Sequence, residues 1–486
     1  MSSRFSTPFF YRAKLSLAFL LVAIAAGCAD SPDESALSLP NASSPEVAAA
    51  EPNGRGPEAS PAPATIAPRQ TSRLPAFYGA SLATPLAPEV GVPLVEQPAS
   101  DQSSIVRVFY GTNRRPNPRF GSDLNDLYGE ERADLQFGVC AVSLPPSHSY
   151  GEIERPSVWR FEFEERPDRH VMLRQVQSVS ESRFLQALRS VTADELRQDA
   201  FVFVHGYNND FAEAARRTAQ IKHDLNFPGP AILFSWPSRG DVIGYRSDRD
   251  QIEPTVPALT RFLTAVSERS GAKRIHVIAH SMGNEFATRA IARVAADAER
   301  AGRTTAVFDE LVLAAPDIDA TEFAATIAPF LTKGCNRCTI YAADHDVALA
   351  TSRRYNRRPR LGQAGRYLVT FPTMPKLNVV DASKVDFDLF NLGHADFKDD
   401  LLGDVRGVLS GLTPDIRRLR PHRVATAWQF IPSAVQPVSY EQTRTASDDA
   451  SVPPPATEEP PTEQAEDAED AEDAGLWASL AGWWPF

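Results

Sequence analysis

Four cysteines among 486 residues are too few for a disulfide scaffold. Long apolar runs are missing too, and the longest, residues 15–26, is too short to span a bilayer. No domain is basic in bulk. The formal charge is −12, yet residues 441–486 hold twelve Asp/Glu and one Arg, and the other 440 residues carry only −1. The acidity belongs to a tail, and bulk electrostatics exclude a nucleic-acid binder. A glycine-rich phosphate loop is absent as well, because Gly206 leads to Tyr207-Asn208-Asn209 rather than to Gly-Lys-Ser/Thr. What remains is ordinary globular material, 43% hydrophobic and 23% charged, long enough for about three domains.

The first residues read as an address. Arg4, Arg12 and Lys14 precede the apolar run, which ends in Ala25-Ala26-Gly27-Cys28. This ending resembles the lipobox of bacterial lipoproteins, which implies a signal peptide over 1–28 and a lipid on Cys28. Ala25 stands where that pattern prefers a larger apolar residue, so ordinary secretion with cleavage nearby stays open. Ala29 after the cysteine implies sorting to the outer membrane, facing the periplasm. Residues 29–100 carry thirteen of the forty prolines with almost no apolar period and read as a disordered tether. Residues 431–486 read as an acidic disordered tail. Its end, with Trp477, Trp483, Trp484 and Phe486, either folds back onto the domain or serves as a weak interfacial anchor.

The folded part is expected over 101–430. Strands are predicted over 105–110, 137–144 and 158–163. From 199 onward strands and helices alternate: strands at 201–204, 231–234, 275–279, 311–314, 339–342 and finally 379–380, with helices at 211–225, 257–267, 282–296 and 396–409. Apolar runs separated by amphipathic helices predict an α/β fold, a mostly parallel sheet with helices on both faces. Ligands in such sheets bind at the carboxyl ends of the strands.

Those ends carry a coherent set. Ala279-His280-Ser281-Met282-Gly283 follows a strand and opens a helix, as a nucleophile elbow does, with Ala279 in place of its first glycine and Gly283 keeping the turn tight. The helix start and the Met282 amide favour negative charge beside Ser281. A second oxyanion donor is expected from the Tyr207 amide in His205-Gly206-Tyr207, where Gly206 lets the backbone approach substrate. A serine needs a base, and the base needs an orienting acid. The order Ser, acid, His leaves His345, His394 and His422. His345 sits in the acid loop and His422 past the expected domain end, which selects His394. Asp346 is the expected acid and Asp344 the alternative. Asp317 and Asp319 could serve in a variant arrangement, but a surface or helix-capping role suits them better.

Phe203-Val204-His205-Gly206-Tyr207-Asn208-Asn209, Leu233-Phe234-Ser235-Trp236-Pro237-Ser238 and Ile278-Ala279-His280-Ser281-Met282-Gly283-Asn284 are similar to motifs of a bacterial α/β-hydrolase-fold family of uncharacterised esterase/lipase-like proteins. The similarity covers about 105–410, including Tyr110-Gly111-Thr112-Asn113-Arg114. It implies an α/β-hydrolase fold with Ser281, Asp346 and His394 at the triad positions. It implies no substrate. Residues 101–198 then look like the family's own N-terminal, strand-rich part, extending the sheet of the catalytic core over 199–430.

Residues 236–249 either line the substrate site or form a solvated loop held by Arg/Asp pairs. Cys335 and Cys338 lack the further ligands of a zinc site, and an oxidising compartment favours a local disulfide. Cys140 reads as a small buried hydrophobe. No metal or organic cofactor is implied. The expected function is a secreted serine hydrolase, a carboxylesterase by first choice because no large lid insertion is evident. Its substrate would be a small-molecule or lipid ester. A lipase, thioesterase, amidase or acyltransferase would need the same residues. A non-catalytic, envelope-anchored interaction module is the alternative class.

Overall fold

The computed structural model describes residues 103–430 except 119–122, 158–161, 163, 240–244, 385–397, 418 and 425. The signal segment with Cys28, the tether, the tail, His394 and most of the strand expected at 158–163 lie outside the described residues.

Among the described residues the chain forms an eleven-stranded sheet. Its strands are β1 (Ser104–Pro116), β2 (Tyr128–Leu144), β3 (Met172–Val179), β4 (Asp199–Val204), β5 (Ala231–Ser235), β6 (Arg274–His280), β7 (Phe308–Ala314), β8 (Cys335–Ala342), β9 (Leu377–Asp381), β10 (Arg420–Pro421) and β11 (Ala427–Gln429). Their order is β10-β11-β9-β8-β7-β6-β4-β5-β1-β2-β3. From β11 to β1 every pairing is parallel, and the antiparallel pairings lie at the two margins, β1-β2-β3 and β10-β11.

Period-two alternation sends successive strand residues into two separate cores. Ala200, Val202 and Val204 of β4 pack with Ile232, Val277 and Leu311 on one face, while Phe201 and Phe203 join Leu233, Ile278 and Val312 on the other. The first face is covered by α1 (Glu181–Thr192), α4 (Ile252–Arg269) and α5 (Gly283–Arg300). The second is covered by α2 (Phe211–Asp224) and α8 (Lys398–Leu409). Shorter helices α3 (Tyr245–Asp250), α6 (Ala328–Gly334) and α7 (Val347–Asn356) fill the connections. Local chemistry starts the helices: Asp210 and Glu213 form a reciprocal capping box on α2, and Ser180 caps α1.

Several sequence expectations need correction. Helix α4 begins at Ile252, and Pro257 lies inside it, because Val256, Leu259, Phe262 and Leu263 bury a continuous apolar stripe that outweighs the lost hydrogen bond. The strand at 379–380 is not the last, since β10 and β11 follow and β11 pairs in parallel with it. His422 is therefore inside the domain, with Nε2 3.2 Å from Asp381 Oδ2 at the end of β9. Cys335 and Cys338 do not form a disulfide; both are free and buried. They sit three residues apart on β8, where an extended chain separates their Cα atoms by about 10 Å, beyond disulfide reach. Burial pushes the Cys335 thiol up to about 12, and its Sγ donates to Leu331 O at 3.3 Å.

Candidate active site

Ser281 follows β6 and precedes α5, and its backbone φ is +48°, a left-handed conformation uncommon for a residue with a side chain. A tight strand-to-helix turn imposes that strain. Three main-chain bonds hold it: Ser281 N donates to Ala314 O at 3.0 Å, while Ser281 O accepts from Asn284 N at 3.2 Å and Asp317 N at 3.3 Å. Gly283 is required here, because a Cβ on it would stand 2.3 Å from His205 O. Met282 is the N-cap of α5, so its amide has no acceptor within the helix.

The turn after β4 presses against this elbow. A Cβ on Gly206 would lie 2.9 Å from Ser281 Cβ and 2.7 Å from His280 Nδ1. The turn is braced from behind by His205, which is buried and stacked on Trp236 with ring centroids 5.4 Å apart. His205 Nε2 accepts from Trp236 N–H at 3.1 Å, which leaves Nδ1–H to donate to Gly206 O at 2.9 Å. Trp236 Nε1–H returns a bond to His205 O at 2.8 Å. Burial and the nearby Arg114 guanidinium hold the His205 imidazole well below its usual range, so it is neutral. His280 is likewise lowered by burial, to about 3.

Arg114, on β1, ties these parts together. It is wholly buried, and donates from Nε to Ser235 Oγ at 2.9 Å, from NH1 to Ser238 O at 2.9 Å and from NH2 to Asn209 O at 2.7 Å. Burial lowers its pKa to about 10, which leaves it charged. Of the segment 236–249, Trp236 and Asp248 are internal rather than solvated. Asp248 accepts from Ser238 Oγ at 2.6 Å and Arg239 N at 3.0 Å.

The acids are placed at successive strand ends. Asp319 caps the helical turn Ala320–Glu322, as its capping role required. Asp317 is buried and saturated: Oδ1 accepts from Arg360 Nε at 2.6 Å and Ser352 Oγ at 2.6 Å, and Oδ2 from Tyr245 Oη at 3.0 Å. Arg360 and Ser352 were not anticipated, and Tyr245 was expected only within the 236–249 segment; the three converge from separate segments with no local spacing to reveal the network. Asp346 follows β8, caps α7 through Leu349 N at 2.9 Å, and is raised above its ordinary value by burial. Asp344 is more than half exposed and lies 3.1 Å from His345 Nδ1. The structure thus brings Ser281, Met282, Gly283, His205, Gly206 and Tyr207 into one turn cluster, with Asp346 two strands away. His394 lies outside the described residues.

Residues 180–401 match the model of a family described as alpha/beta hydrolase of unknown function (DUF900). An uncharacterized protein of a Nostoc species is 29% identical over 108 residues, which is 19% of this chain and 28% of that relative's length. A solved structure of a candidate cell surface hydrolase from Lactobacillus plantarum is similar at 13% identity and a TM-score of 0.27, covering 46% of this chain and 96% of that one. With a parallel sheet, helices on both faces and a strained serine at a strand-to-helix turn, the chain has the α/β-hydrolase fold, and its residues from α1 to the start of α8 match an alpha/beta hydrolase family.

Proposed function

We propose that this chain is a serine hydrolase acting on carboxylic esters, secreted to the bacterial envelope and held there through a lipid on Cys28. The observation that carries the reading is Ser281 at φ +48° on its elbow, with the backbone of Gly206 against its Cβ. His394 takes the proton from Ser281 Oγ as that oxygen attacks the ester carbonyl, and returns it to the departing alkoxide. The Tyr207 and Met282 amides receive the oxyanion. Because a trans peptide is planar, fixing Gly206 C=O toward His205 turns the Tyr207 N–H the opposite way before substrate arrives. Water then releases the acyl group from Ser281.

Asp346 orients the imidazole. Its strand is two places from β6, about 10 Å away, which leaves room for a ring between acid and serine. Asp317, one strand away, has its oxygens engaged by Arg360, Ser352 and Tyr245.

Covalent labelling of the full chain by a fluorophosphonate probe tests the reading, followed by a panel of short and medium acyl esters. Labelling is expected to vanish in Ser281→Ala and to fall sharply in His394→Ala and Asp346→Ala. A folded wild-type chain that never labels would overturn the proposal in favour of a non-catalytic envelope module.

A further inference from the structure

Helix α2 leaves the oxyanion turn and runs 14 residues, so its far end lies about 20 Å from the elbow. There the loop after β2 meets it, and His148 of that loop approaches His223 and Asp224 of the helix end. Among the described residues this is the one group of three such side chains whose ligand atoms all lie within 4.8 Å of one another. His148 Nε2 is 2.9 Å and His223 Nδ1 3.2 Å from the same oxygen, Asp224 Oδ1. Ligands around a tetrahedral zinc, each at about 2.0–2.2 Å, stand about 3.3 Å apart. The two nitrogen–oxygen separations are already close to that spacing.

We infer that His148, His223 and Asp224 form a divalent-cation site of zinc type, separate from the serine centre. The surrounding hydrogen bonds are those such a site needs. Both carboxylate oxygens of Glu154 accept from His148 Nδ1, at 3.1 and 2.9 Å, which turns Nε2 toward the ion. Asp224 Oδ2 accepts from Gly151 N and Gln220 Nε2, each at 2.6 Å, which reserves Oδ1. Two carboxylates face two imidazoles here, oxygen and nitrogen donors of the kind zinc takes. The His148 and Asp224 side chains are 5% and 1% exposed and that of His223 38%, so the open side offers the fourth position to water. A bound ion would clip the loop carrying residues 148–154 to α2, a cross-link between segments 75 residues apart.

The test is titration of the chelator-stripped full chain with zinc chloride, followed by calorimetry and by thermal melting. One ion per chain and a higher melting temperature are expected. His223 is at the surface, so His223→Asn should leave the metal-free melting temperature unchanged while weakening binding by about tenfold or more. Glu154→Gln, which touches no ion, should weaken it by about 10–100-fold. Absence of saturable uptake by the folded wild type, or affinity unmoved in His223→Asn, overturns the inference.

Discussion

At the residue scale, one methyl group decides whether the elbow can work. Gly206→Ala would place a carbon 2.9 Å from Ser281 Cβ, 2.7 Å from His280 Nδ1 and 3.1 Å from His280 O. Probe labelling should slow by about 10²–10³-fold, the cost of a misplaced oxyanion donor, with a smaller change in melting temperature. Labelling at the wild-type rate would sink this account of the turn. Asp248 makes a prediction about pH. Burial lifts its carboxyl to about 6, above the value of about 3.9 in an unfolded chain. The folded chain therefore holds that proton more tightly. The associated stability is fully present below about pH 4 and is lost as pH rises through about 6. Urea midpoints measured from pH 4 to 7 should fall more steeply for wild type than for Asp248→Asn. Parallel curves would refute the assignment.

At the scale of elements, the ends of β7, α3 and α7 are joined through Asp317. Arg360→Ala leaves that carboxylate buried and unpaired, a loss of about 3–5 kcal/mol, and Arg360→Lys cannot reproduce the two bonds of the guanidinium. Urea unfolding of both variants checks this. On β8, a reducing agent should leave the melting temperature unchanged, since Cys335 and Cys338 share no bond. Strands β4 to β8 were legible because a parallel strand buried on both faces is a short unbroken apolar run, and the elbow was legible because its spacing is local. Strand β3 was not, since seven of the eight positions of MLRQVQSV are half-buried or exposed and carry a weak pattern. Strands β10 and β11 have two and three residues and owe their form to the neighbour they pair with. The same gap hid the Arg360 network, whose members Tyr245 and Ser352 are 107 residues apart.

At the scale of the molecule, both margins of the sheet matter. A chain ending at residue 415 would lose β10 and β11, strip β9 of its outer partner and remove His422 from Asp381. Lower solubility and a lower melting temperature are expected, because an uncovered parallel strand is a template for aggregation. Native melting and light scattering of the truncated chain measure both. At the opposite margin, β1 pairs in parallel with β5, and Arg114 reaches from it to the carbonyls of Asn209 and Ser238. The stretch that matches the hydrolase family begins only at residue 180. The boundary of kinship and the boundary of the folded unit therefore do not coincide: a gene trimmed to the matched stretch would encode Ser281 and lose the guanidinium that steadies the loop opposite it.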